Sequence, residues 1–224
     1  MIQSPYSVAG PVESVLVTNK LIRNTYTLLS MTLIFSAAMA GLSMALRAPF
    51  GISIGCSIAA LVLVWFVIPK YRNSTAALPL TFLFTGLLGF GLGPTLSYYV
   101  TAFSNGTELI MTAAGGTGAI FLGLSGYVLT SRKDFSFLGG FLFIGLIVGI
   151  LGGIGAAIFQ IPSLQLAISA MMILLMSGFI LYDTSRIIRG GETNYVMATI
   201  SLFLDILILF QHLLHILGVF GGDD

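Results

Sequence analysis

Residues 136–159 read SFLGGFLFIGLIVGILGGIGAAIF, a run of 24 positions without one charged side chain. A bilayer core about 30 Å thick is crossed by about 20 apolar residues in a helix. A barrel strand would alternate apolar and polar residues, and this run is apolar throughout, so it reads as a transmembrane helix. Working outward from it, six more segments pass the same test: 25–46, 51–69, 78–100, 108–130, 164–185 and 196–219. The connections are short, so neighbouring spans should pack antiparallel. The fold class is therefore all-α, a polytopic bundle of seven transmembrane helices.

Composition agrees. Of 224 residues, 57% are hydrophobic and 8% charged, against about 25% charged in a soluble domain. So few charges cannot cover a water-facing surface. A net charge of +1 and no basic face exclude a nucleic-acid binder. The single cysteine, Cys56, cannot form an internal disulfide and matches no zinc spacing. No apolar stretch follows closely on Met1, so span one is expected to be retained rather than cleaved as a signal.

The nine lysines and arginines set the topology. Lys20 and Arg23, Lys70 and Arg72, Arg132 and Lys133, and Arg186 and Arg189 all fall on one side of the seven-span arrangement, and only Arg47 on the other. Basic loops stay in the cytoplasm. The N-terminus is therefore expected inside and the C-terminus outside. The domains are a cytoplasmic tail 1–24 containing Pro5, Gly10 and Pro11, a transmembrane domain 25–219, and a short periplasmic tail 220–224.

Small residues four apart, Gly89 with Gly93 and Gly145 with Gly149 and Gly153, let helix backbones approach closely in lipid. Pro94 removes one backbone hydrogen bond from span three and is expected to kink it. Gly190 and Gly191 can end span six, and Thr193 or Asn194 can cap span seven. Glu108 opens span four, where the helix dipole favours a negative charge.

Ionisable residues inside a membrane are functional candidates. Asp205, in SLFLDILILF (201–210), lies about ten residues, roughly 15 Å, into span seven. Asp183, in ILYDTSRI (180–187), lies near the same side of span six. Spans six and seven are antiparallel neighbours, so the two carboxylates can meet at one depth. Such a pair would share a proton and titrate as a unit, making it a candidate proton sensor or cation site. The alternative for Asp183 is an interfacial ion pair with Arg186, one turn on. For Asp205 the alternative is a neutral, hydrogen-bonded structural carboxyl. His212, seven residues after Asp205, shares its helix face and is a candidate partner. One helix face cannot complete a metal shell with His212 and His215, so no metal is expected. GLLGFGLGP (86–94) lacks the strand-to-helix context of a phosphate loop. Ser125 in GLSGY (123–127) lacks that of a nucleophile elbow. The chain is not expected to be an enzyme or to need a cofactor.

Four stretches, LIRNTYTLLS (21–30), TGLLGFGLGP (85–94), GYVLTSRKDFSFLGG (126–140) and GGETNYVMATISLF (190–203), together with the paired aspartates, resemble the Bax inhibitor-1 family and its bacterial YccA-type members. The similarity runs through nearly the whole chain after about residue 18. It implies a bundle in which the last helix is enclosed by the others, located in the bacterial inner membrane. It also implies a partner, the FtsH-type AAA+ membrane protease, with HflK and HflC as its membrane associates. On this reading the protein is a slow substrate or inhibitor held through its cytoplasmic tail, about residues 1–20. The family's paired aspartates fall on Asp183 and Asp205, which in bacterial relatives form a pH-sensitive latch on a calcium leak. Calcium would then be the transported ion. Those relatives pair the aspartates with an arginine in span two. Span two here, GISIGCSIAALVLVWFVIP, has no Arg or Lys before Lys70.

Overall fold

Seven helices, each long and apolar enough to cross a bilayer, make up the computed structural model, which describes residues 11–222. They are α1 (Pro11–Ala45), α2 (Phe50–Tyr71), α3 (Ala77–Ala102), α4 (Gly106–Ser131), α5 (Gly139–Ile158, preceded by a 3-10 turn at Ser136–Leu138), α6 (Pro162–Arg189) and α7 (Tyr195–Gly221). The described residues contain no strand. Every expected span lies on one of these helices.

The largest difference is at the start. Residues 11–24, read from sequence as tail, belong to α1. Proline is favoured at the first helical position, which suits Pro11. Leu21 and Ile22 then pack on the core, in register with buried Leu28 and Leu29. That apolar stripe extends the helix past the membrane boundary that hydropathy alone would set. The first ten residues of the expected tail, and residues 223–224 of the C-terminal one, lie outside the described residues.

α2 contains a π turn at Leu63–Val67, where the Ile68 N–H bonds the Leu63 carbonyl. Pro69 follows at once. Its ring and missing N–H disrupt the regular ladder, and the chain widens by one residue just ahead of it. α3 continues unbroken through Pro94, which is buried.

The helix α7 is at the centre. It packs on α1, α3, α4 and α6, while α2 packs on α3 and α5 on α6 at the periphery. Accordingly Leu202, Phe203 and Leu209 are fully buried. Exposed Ile54, Ile58 and Trp65 on α2, and Phe141, Ile144 and Leu151 on α5, form lipid-facing surfaces.

Glycines set two of the seams. Gly89 and Gly93 lie against Ser36, Ala40 and Ser43 of α1. Gly145 and Gly149 lie against Leu175 and Met172 of α6. The expected third member of that row, Gly153, faces open space, and Gly152 meets Ile168 instead. A step of three after a step of four holds the row on one face at 3.6 residues per turn, whereas two steps of four drift off it.

Asn194 caps α7, accepting from the N–H groups of Val196 and Met197. Its Nδ2 also donates to the Arg72 carbonyl and to Asn73 Oδ1, both at 2.9 Å, and so ties the α2–α3 loop to the start of the central helix. Asn194→Ala is expected to lower stability by about 1 kcal/mol through the cap alone. Thermal melting in detergent checks this, and an unchanged midpoint would refute it. α6 ends where Gly190 takes φ 75° and the Gly191 and Glu192 N–H groups return to the Arg186 carbonyl at 2.9 and 3.3 Å.

Candidate functional site: a buried carboxylate pair

Asp183 stands on α6 six residues before its end, and Asp205 stands ten residues into α7. Both are buried, with 8% and 6% exposure. The helices that carry them pack directly against each other. Asp205 Oδ2 is enclosed by protein without a hydrogen-bond partner. In low dielectric, ionised carboxylates buried near each other would repel.

The ion pair that was the alternative for Asp183 is also present. Arg186 Nη1 lies 3.6 Å from Asp183 Oδ1, and Nη2 lies 4.0 Å from Glu192 Oε2. The guanidinium sits over the Tyr182 ring at 5.5 Å. Asp183 thus faces Arg186 at the rim and Asp205 in the interior. The basic partner comes from one turn along the same helix, while Lys70 at the end of α2 is exposed.

His212 does not join the carboxylates. Its Nδ1 is 3.1 Å from Ser169 Oγ on α6. His215 Nδ1 is 2.9 Å from the same oxygen. The reason is axial distance: seven residues on one helix are about 10 Å, and α6 offers Ser169 at the level of the histidines. Among the described residues no three His, Cys, Asp or Glu side chains converge.

Sequence reasoning missed a belt of buried hydroxyls on the helices that carry the pair and their neighbours. Thr184 Oγ1 donates to Ser125 Oγ at 3.5 Å, and Ser125 is hydrogen-bonded to the Tyr26 hydroxyl. Thr199 Oγ1 reaches the carbonyls of Tyr195 and Thr25 at 2.7 and 3.2 Å. The belt joins α1, α4, α6 and α7. Its available signal was the presence of four small hydroxyl residues, Thr25, Ser125, Thr184 and Thr199, inside apolar spans, where such side chains bridge helices.

Outside the membrane, the loop after α4 docks on the same end of α6. Ser185 Oγ accepts from the Phe135 N–H at 3.1 Å, and Arg189 Nη1 lies 3.5 Å from Asp134 Oδ2. The Ser136 N–H donates to Asp134 at 2.9 Å, which, more than Arg189, holds that carboxyl below its ordinary range.

The family model described as "Inhibitor of apoptosis-promoting Bax1" matches residues 18–222. The chain belongs to the Bax inhibitor-1 family. A membrane protein of Vibrio cholerae is 49% identical over 98% of both chains. The Escherichia coli K12 protein named modulator of FtsH protease YccA is 44% identical over 94% of both. A second Escherichia coli protein with the same identity and coverage is named inner membrane protein YccA. With seven membrane-crossing helices, this Bax inhibitor-1 member is a multi-pass protein of the inner membrane.

Proposed function

We propose that this Bax inhibitor-1 family member modulates an FtsH-type membrane protease, as a slow substrate or inhibitor engaged through its N-terminal tail. The observation that carries the reading is the 44% identity, over 94% of both chains, to a relative named as a modulator of that protease. A cytoplasmic tail is supported by the charge asymmetry, with eight of nine basic residues on one side. An AAA+ protease pulls on a chain end, and the first ten residues are the segment this reading assigns to it. Deleting residues 2–10 is expected to abolish turnover while the bundle still inserts. Pulse-chase in cells with and without the protease, and co-purification that also scores HflK and HflC, test it. Unchanged turnover together with unchanged co-purification would overturn the proposal.

A second reading is favoured by the geometry of Asp183 and Asp205: a pH-sensitive cation leak in which the pair holds the inner half of the bundle shut. Calcium flux into liposomes is expected to vary with pH and to lose that dependence in Asp205→Asn. A flux that is flat with pH and indifferent to the substitution would remove this reading.

A further inference from the structure

Both histidines of the chain meet one serine, and one of them lines a polar cavity. Ser169 Oγ lies 2.9 Å from His215 Nδ1 and 3.1 Å from His212 Nδ1. Ser169 is 3% exposed, so the hydroxyl is enclosed between the imidazoles. His215 also lines a cavity of about 270 Å³ bounded by residues of α2, α3 and α7. Its polar lining includes Ser53, Thr95, Tyr99, Gln211 and His215. Ser53 Oγ is buried there without a hydrogen-bond partner. The cavity lies toward the end opposite the basic loops: Tyr99 is three residues before the end of α3 and His215 six before the end of α7. A polar chamber of this size suits water.

A serine hydroxyl carries one proton. It donates to one Nδ1 and accepts from the other as Nδ1–H, so the two neutral imidazoles hold opposite tautomers. We propose that His215, Ser169 and His212 form a proton-binding relay filled from the outer face through this cavity. In the tautomer where His215 Nδ1 donates to Ser169, the nitrogen free to take a proton is Nε2 of a residue that lines the cavity. A proton from hydronium binds Nε2 and releases water, making His215 an imidazolium. His215 Nδ1–H then passes to Ser169 Oγ as the Ser169 proton passes to His212 Nδ1. The positive charge now sits on His212, and His215 is left neutral with Nε2–H. The relay holds one proton, because a second imidazolium would meet the charge of the first.

Among the described residues, few other ionisable groups face the relay. From α3 there is Tyr99, and from α2 only the hydroxyls of Ser53 and Ser57. α6 presents Ser169, and Glu108 lies in the exposed first turn of α4. α1 carries no ionisable residue between Tyr26 and Arg47. On α7 itself Asp205 is about 10 Å from His212 along the axis. The relay stands at the outer end of the bundle and so would answer the outer compartment separately from the carboxylate pair.

The test is solid-state NMR of the full chain, ¹⁵N-labelled at histidine, in vesicles of known sidedness. Because the chain has two histidines, every imidazole signal comes from this cluster. The expected result at neutral pH is one protonated and one bare Nδ1. Acidifying the outer side from about pH 8 to 5 should produce one imidazolium, and acidifying only the inner side none. Ser169→Ala should leave two imidazoles titrating separately. In His215→Gln, His212 should stop following the outer pH. Two identical tautomers, protonation that follows the inner side, or a His212 in His215→Gln that still follows the outer pH would each overturn the proposal.

Discussion

Placing leucine at both Gly89 and Gly93 is expected to prevent assembly of the seven-helix bundle. A Cβ at position 89 would stand 2.2 Å from the Ser36 carbonyl oxygen, and one at 93 would stand 2.4 Å from Ser43 Cβ and 3.0 Å from the Ala40 carbonyl. Two of these three contacts are backbone, which cannot rotate away as a side-chain tip could. Overpacking in a well-packed core costs about 1–3 kcal/mol per site where side chains can adjust. Here the whole α1–α3 seam must open, and both changes fall on it. The loss therefore reaches the scale of a domain's total stability, about 5–15 kcal/mol. Size-exclusion profiles and thermal melting in detergent check the result. Gly115→Leu is the control: nothing lies within 4 Å of its added Cβ, so the same change in hydrophobicity should leave the fold intact. A folded, monodisperse Gly89→Leu/Gly93→Leu protein would show that the α1–α3 seam is not required.

Asp205→Leu is expected to act in the opposite direction on stability and to end any function of the pair. The Asp205 carboxyl is buried beside a second carboxylate, and Oδ2 has no hydrogen-bond partner. A buried polar atom left unsatisfied costs about 1–3 kcal/mol, and leucine of similar size removes that cost. The melting temperature should rise, while the pH dependence of any cation flux disappears. A fall in melting temperature would mean that the carboxyl is a net structural bond, refuting the view that it is held at a cost. The paired variant Asp183→Leu separates the roles: it should also flatten the flux, but it frees Arg186 to its existing contact with Glu192, 4.0 Å away, and so gains less.

The two stations on α7 were unequally readable. Asp205 was identifiable because a carboxylate ten residues into an apolar span has no route to water. That Asp183 can reach the same depth is an expectation from helix order and rise per residue. The partner of His212 was not identifiable in the same way. Periodicity put His212 on the face of Asp205, but lateral neighbours come from α6, and nothing in the order of residues says that Ser169 lies level with two histidines 43 and 46 positions away. The hydroxyl belt of Thr25, Ser125, Thr184 and Thr199 shares this limitation. The length of α1 was misjudged for a related reason: hydropathy marks where lipid ends, whereas Leu21 and Ile22 continue to pack beyond it.

The sequence by itself determined that the chain has seven helices able to cross a membrane, that Gly89 and Gly93 draw two of them together, and that two carboxylates lie inside spans. These follow from local rules: hydropathy over a fixed thickness, small-residue spacing and the penalty on charge in lipid. The enclosed α7 and the Asp183–Arg186 pair were open to expectation; the tertiary structure alone decided that Asp205 is left with a bare oxygen. It also decided that Ser169 binds both histidines beside a polar cavity. Each depends on the rotation and depth of one helix against another, set by the packing of all seven together.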